Sequence, residues 1–247
     1  MKLETLNRIL VLILGLVFFI LGTSCTNFRT YTETERENRL EKGEILSYLR
    51  KIEGTKLSIG EAQAIIDAPP ARVWNMITDY NRQGEIGPRT KKIEIIRIEG
   101  NTVWVDMELN APWPLEDARF TLNVNHDKKE LRTNWNLIEG NIQESYGSWD
   151  LDPIPGEPNR TLAKYTLLYD DGRPLPKWIV NTFTRWGVHE IMSIVRKHVS
   201  DPVYDSPIYQ ISVLEPNKVP IQPEFSQIPK EKPKKSLMDE ETKAILR

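Results

Sequence analysis

Residues 64–80, Ala-Ile-Ile-Asp-Ala-Pro-Pro-Ala-Arg-Val-Trp-Asn-Met-Ile-Thr-Asp-Tyr, leave this chain few ways to fold. They read as a strand that stops at Pro69-Pro70 and resumes at once as an amphipathic helix. Proline lacks the N–H that a strand ladder needs, and its fixed φ suits the first turn of a helix. Val73, Trp74, Met76, Ile77 and Tyr80 then recur at helical spacing. Many strands follow. A strand, a proline hinge, a short helix and then a series of strands predicts a sheet that folds around a cavity.

The two ends read differently from the body. Lys2 and Arg8 flank a short charged start, and Ile9 to Leu21 is apolar apart from Gly15. That run is short for a membrane span of about 20 residues but fits a secretory core. Gly22-Thr23-Ser24-Cys25 follows, and Cys25 is the only cysteine, so no internal disulfide can form. This placement resembles the lipobox of bacterial lipoproteins, with Gly22 where that family usually carries leucine. The resemblance implies that residues 1–25 are a signal and that Cys25 is acylated. It implies a membrane anchor in the cell envelope, facing the periplasm or the exterior. A plain signal peptide or uncleaved anchor is the alternative.

Residues 26–43 are dense in Glu and Arg and read as a polar spacer, in part helical. Residues 202–247 carry too many prolines for a helix or central strand and read as an extended, largely disordered tail. The body, 44–201, has the size of one domain with a substantial core. A net charge of −2 gives no electrostatic case for nucleic-acid binding.

Within the body, strands are predicted over 45–52, 57–67 and 92–98. The helix over 71–80 ends in a turn at Asn81-Arg82-Gln83-Gly84. Val103, Val105, Met107 and Leu109 alternate with Trp104, Asp106 and Glu108. Ala118, Phe120, Leu122 and Val124 alternate with polar residues in the same way, as do Leu131, Thr133, Trp135 and Leu137. Two more strands, 145–151 and 162–170, complete an antiparallel meander with one wet and one dry face. A helix over 176–199 covers the dry face, with Val180, Phe183, Gly187, Ile191, Ile194 and Val195 on its apolar side. Gly187 on that side predicts close packing against the sheet, with space left for a ligand as the alternative.

This order of elements resembles the helix-grip fold of the START and polyketide cyclase/dehydrase superfamily. Ile66-Asp67-Ala68-Pro69-Pro70-Ala71-Arg72-Val73-Trp74 is similar to that family's passage from strand to helix. Pro112-Trp113-Pro114-Leu115 and Gly147-Ser148-Trp149-Asp150-Leu151 are similar to two of its later segments. The resemblance implies an α+β fold, a curved antiparallel sheet of seven to nine strands wrapped around a long C-terminal helix.

Catalytic signatures are sparse. His126 sits in Asn125-His126-Asp127-Lys128, a turn signature that predicts an exposed imidazole. His189 and His198 do not share a helix face as a metal pair would. No HExxH, cysteine cluster, glycine-rich phosphate loop or Gly-x-Ser-x-Gly elbow occurs. No catalytic residue, metal or cofactor is therefore assigned.

Binding has more support. The seven tryptophans are accounted for mainly by packing, with some left to line an apolar cavity. The candidate walls are the dry-face residues Val103, Val105, Met107 and Leu109, then Phe120 and Leu122. Thr133, Trp135, Tyr165 and Leu167 continue the lining, and Phe183, Gly187 and Ile191 close it from the helix. Trp113 is placed in a rigid loop near the mouth. The expected function is a membrane-tethered module that binds a lipid or another hydrophobic small molecule. A cyclase or aromatase-type enzyme is the alternative, as is an interaction module with a filled cavity.

Overall fold

The computed structural model describes residues 32–52, 57–87, 89–111 and 115–206, excepting the side chain of Lys177. The expected signal with Cys25, the Pro112-Trp113-Pro114 segment and the tail from 207 onward lie outside the described residues.

The elements, in order, are α1 (Glu33–Glu41), β1 (Leu46–Lys51), β2 (Ser58–Ile66), α2 (Pro70–Ile77) and α3 (Tyr80–Ile86). Then come β3 (Thr90–Glu99), β4 (Thr102–Leu109), β5 (Ala118–Asp127), β6 (Arg132–Gly140), β7 (Glu144–Ile154) and β8 (Glu157–Asp170). The long helix α4 (Lys177–His198) and a 3-10 turn (Pro202–Asp205) finish the series. One curved antiparallel sheet of eight strands runs β1-β2-β8-β7-β6-β5-β4-β3, within the expected seven to nine.

The proline hinge explains this order. After β2, Pro70 opens α2 as its first helical residue. The chain does not turn back to pair with β2. Instead α2 and α3 carry it across to the far edge, where β3 begins a six-strand meander that returns until β8 pairs with β2. The turn expected at 81–84 is a correction: those residues belong to α3. Asp79 causes the difference, because its Oδ1 accepts the Arg82 N–H at 3.3 Å and caps a new helix.

Helix α4 lies on the concave face, and a glycine brings it close. A Cβ at Gly60 on β2 would stand 2.7 Å from Thr184 Cγ2 and 3.0 Å from Val188 Cγ1. Only a residue without a side chain allows that approach. The deeply buried side of α4 is therefore Thr184, Val188, Met192, Val195 and Val199. The expected side shares only Val195 with it. The helix is rotated because Gly60 draws positions 184 and 188 onto the sheet.

A second glycine makes room for an aromatic ring. A Cβ at Gly147 on β7 would fall 2.2 Å from Trp135 Cζ2. The main core gathers Ala62, Ala64, Ile66, Val73, Val105 and Val188 between sheet and helices. Outside the concave face, Leu40 of α1 packs with Leu46 and Ile65, so part of the expected spacer joins the body. The body also runs past residue 201. Tyr204 is buried, Asn75 Nδ2 donates to the Tyr204 carbonyl at 2.9 Å, and Arg72 pairs with Asp205. Strand β3, at the sheet edge, carries Lys92, Glu94, Arg97 and Glu99 and two register shifts, which discourage edge-to-edge pairing. Among the described residues, no helix is long and apolar enough to cross a membrane.

Candidate functional site

A cavity of about 310 Å³ lies where the concave sheet, α2–α3 and α4 meet. Met107 and Leu109 of β4, Phe120 and Leu122 of β5, and Thr133 and Trp135 of β6 line it. Tyr165 and Leu167 of β8 join them, with Gly187 and Ile191 of α4 opposite. Period-two alternation brings these side chains together, because every second residue of each strand faces the same hollow.

Three expected wall residues sit elsewhere. Val103 and Val105 share the face but lie in the solid core, fully packed. The void does not extend along all of β4. Phe183 lines an adjoining lobe of about 140 Å³ with Val180 and Trp186. Arg89, Leu109, Leu167, Tyr169 and Gly187 border both spaces.

Gly187 corrects the close-packing expectation. A Cβ there would meet no heavy atom within 4 Å. The residue opens space, and Ile191 and Ile194 on the same side of α4 look into the cavity. Helical periodicity marks an apolar flank but not whether it faces a wall or a void.

Sequence reasoning passed over Met76, Ile77 and Tyr80 of the first two helices, which close one side. Their helical spacing was the available signal, since an amphipathic helix after the hinge must cover something. Trp149 was also passed over. It shares the concave face with Gly147 and meets the Tyr165 ring at 4.6 Å between centroids, while Trp135 stacks on Tyr165 at 5.5 Å. These three rings form one aromatic wall.

Polar side chains are the minority of the lining, and Gln83, Thr90 and Ser145 are among them. Arg89 Nε stands 3.2 Å from Glu190 Oε2, and its guanidinium lies 4.0 Å over the Trp186 ring. This cluster joins the start of β3 to α4 at the more exposed side of the cavity. Thr133 is 3% exposed, and its Oγ1 has no hydrogen-bond partner. Burial pushes the Tyr165 and Tyr80 hydroxyls upward, and pushes Tyr169 up to about 12 with help from the nearby Asp171 charge.

His126 overturns the exposed-turn expectation. It lies on β5, 2% exposed, with Nε2 3.0 Å from the Tyr80 hydroxyl and its ring edge-on to Trp74 at 5.7 Å. Burial pushes its pKa down to about 4, so near neutral pH the imidazole is uncharged. Asp79, adjacent in sequence to Tyr80, is fully buried, and burial raises its carboxyl. Arg82 Nε is 3.2 Å from its Oδ2, out of line for a hydrogen bond. Among the described residues, no group of three His, Cys, Asp or Glu side chains is placed to hold a metal ion.

The arrangement can remove an apolar molecule from water and offer it a small number of hydrogen-bonding groups. A family model described as "Polyketide cyclase / dehydrase and lipid transport" matches residues 66–193. A comparison with curated proteins gives no match. Among solved structures, the fold is similar to a STAR-related lipid transfer protein fragment from Xanthomonas axonopodis. The identity is 17% and the TM-score 0.55, over 63% of this chain and 93% of that one. It is also similar to a protein from Thermus thermophilus, at 20% identity and a TM-score of 0.51, over 56% of this chain and 94% of the other. At these identities the likeness is one of fold.

Proposed function

The chain belongs to the polyketide cyclase/dehydrase and lipid transport family, and from that premise we propose that its cavity binds a lipid or another hydrophobic small molecule and shields it from water. The observation that carries this reading is the open, largely apolar space between the sheet and α4, with Gly187 leaving room where a side chain would intrude. Each 100 Å² of apolar ligand surface withdrawn from water contributes about 2.5 kcal/mol before the costs of association.

Cyclase-type chemistry also stands in the family's description. A general acid or base works best with a pKa near the working pH. The lining hydroxyls of Tyr80, Tyr165 and Tyr169 are pushed upward, away from that range, which supports the binding reading.

The N-terminal segment adds a location. Its apolar run and Cys25 support a lipid-anchored protein of the cell envelope, with the tether keeping the cavity close to a source of hydrophobic ligand. Two measurements test these parts separately. Native mass spectrometry of the soluble body after mild purification should show a co-purified hydrophobic ligand or uptake of a fluorescent lipid. Consistent absence of both would overturn the binding reading. For the anchor, C25S should move the protein from the membrane fraction to the soluble fraction.

A further inference from the structure

The cavity's polar groups differ in what they still lack. Arg89 is the cation on the lining, and Glu190 already faces it at 3.2 Å, with Trp186 stacked beneath the guanidinium. The mouth is thus internally neutralised and does not call for an ionic headgroup. Thr133 is different. It lies on β6, in the middle of the sheet, between His126 of β5 and Trp149 of β7. Four described residues carry a buried side-chain polar atom without a hydrogen-bond partner, and Thr133 is the one that also lines the cavity. A buried hydroxyl without a partner is costly, and the cost disappears when a ligand supplies the missing bond.

We propose that Thr133 Oγ1 is the specificity-determining contact of the cavity, and that the ligand is an uncharged, compact, mainly apolar molecule bearing one hydrogen-bonding oxygen. An alcohol, a phenol or a ketone fits this description. A hydroxyl can both donate and accept, so either a carbonyl or an O–H can complete Thr133. The aromatic wall of Trp135, Tyr165 and Trp149 stands beside Thr133 and offers flat faces to a planar apolar body. The volume of about 310 Å³ is at the low end of small-molecule pockets, which run from roughly 300 to 1,000 Å³. This inference rests on the binding function proposed above and narrows it to a ligand class.

The test uses three probes on the full chain and on T133V, which keeps the side-chain shape and removes the hydroxyl. The probes are 2-naphthol, naphthalene and laurate, titrated by tryptophan fluorescence, with thermal melting to confirm that the variant folds. In the wild type, 2-naphthol should bind roughly fivefold more tightly than naphthalene, the size of one neutral hydrogen bond. T133V should lose that preference and keep its affinity for naphthalene. Equal affinity for both in the wild type, a preference that survives in T133V, or tighter binding of laurate than of 2-naphthol would overturn the inference while leaving a hydrophobic site in place. Failure of the wild type to bind any of the three would remove the binding reading and this inference with it.

Discussion

His126 shows how one residue can escape local pattern reading. Asn125, Asp127 and Lys128 give it the company of a turn, yet it continues the parity of Ala118, Phe120, Leu122 and Val124 onto the concave face. Parity was the better guide, because a strand's facing repeats every second residue whatever the neighbouring types. Its burial has a pH consequence. The folded pKa of about 4 is below the unfolded value of roughly 6.5. Between those values the unfolded chain binds the extra proton, so stability falls as pH falls through that window, and is unaffected above it. The loss should total about 3 kcal/mol on reaching pH 4. Urea midpoints measured between pH 7.5 and 4 should therefore drop more steeply for the wild type than for His126→Gln. Parallel curves would show that burial does not set this titration. Asp79 works in the opposite sense, since burial raises its carboxyl above the unfolded value and the folded state holds that proton as pH rises past it. A second residue-scale prediction concerns Gly147. Ala at that position would strike the Trp135 indole, with a cost of about 1–3 kcal/mol. Because Trp135 lines the cavity, Gly147→Ala should also weaken uptake of an aromatic probe, and a change in melting temperature alone would contradict that link.

At the scale of elements, α4 has two apolar flanks with different neighbours. Met192 is fully buried against the core, while Ile191, one position earlier, faces the cavity. Met192→Ala should cost about 2–5 kcal/mol by leaving a new hole in packed surroundings. Ile191→Ala enlarges a hole that already exists and should cost clearly less. Equal losses in chemical denaturation would mean that the cavity is closed by side chains in solution. Gly187 gives the reverse experiment. An added methyl meets nothing, and alanine is favoured over glycine within a helix by about 1 kcal/mol. Gly187→Ala should therefore stabilise the fold, whereas the bulkier Gly187→Phe should block probe uptake without unfolding the protein. The helix itself was legible in the sequence from its apolar repeat and flanking prolines. Its rotation was not, because the determining contact is Gly60, more than a hundred residues earlier in the chain.

For the molecule as a whole, ligand occupancy should couple directly to stability. A ligand at one hundred times its Kd stabilises the folded state by about 2.7 kcal/mol, enough to raise the melting temperature by several degrees. A calorimetric scan with saturating 2-naphthol should show that rise, and no rise at saturation would argue against binding to the native cavity. The sequence by itself determined the strand–proline–helix hinge, the meander and the covering helix, since periodicity and proline chemistry act locally. It therefore reached the sheet-and-helix architecture, and ten of the thirteen residues it placed on the wall border the cavity. The tertiary structure decided which parts of that shared face are solid and which are hollow. Val103 and Val105 have the same alternation as Met107 and Leu109, but only the second pair borders the void. Likewise the neutralised Arg89–Glu190 pair and the unpartnered Thr133 hydroxyl depend on segments far apart in the chain. Alternation fixes the side to which a residue points. What it meets there is set by the packing of distant elements, which no local pattern encodes.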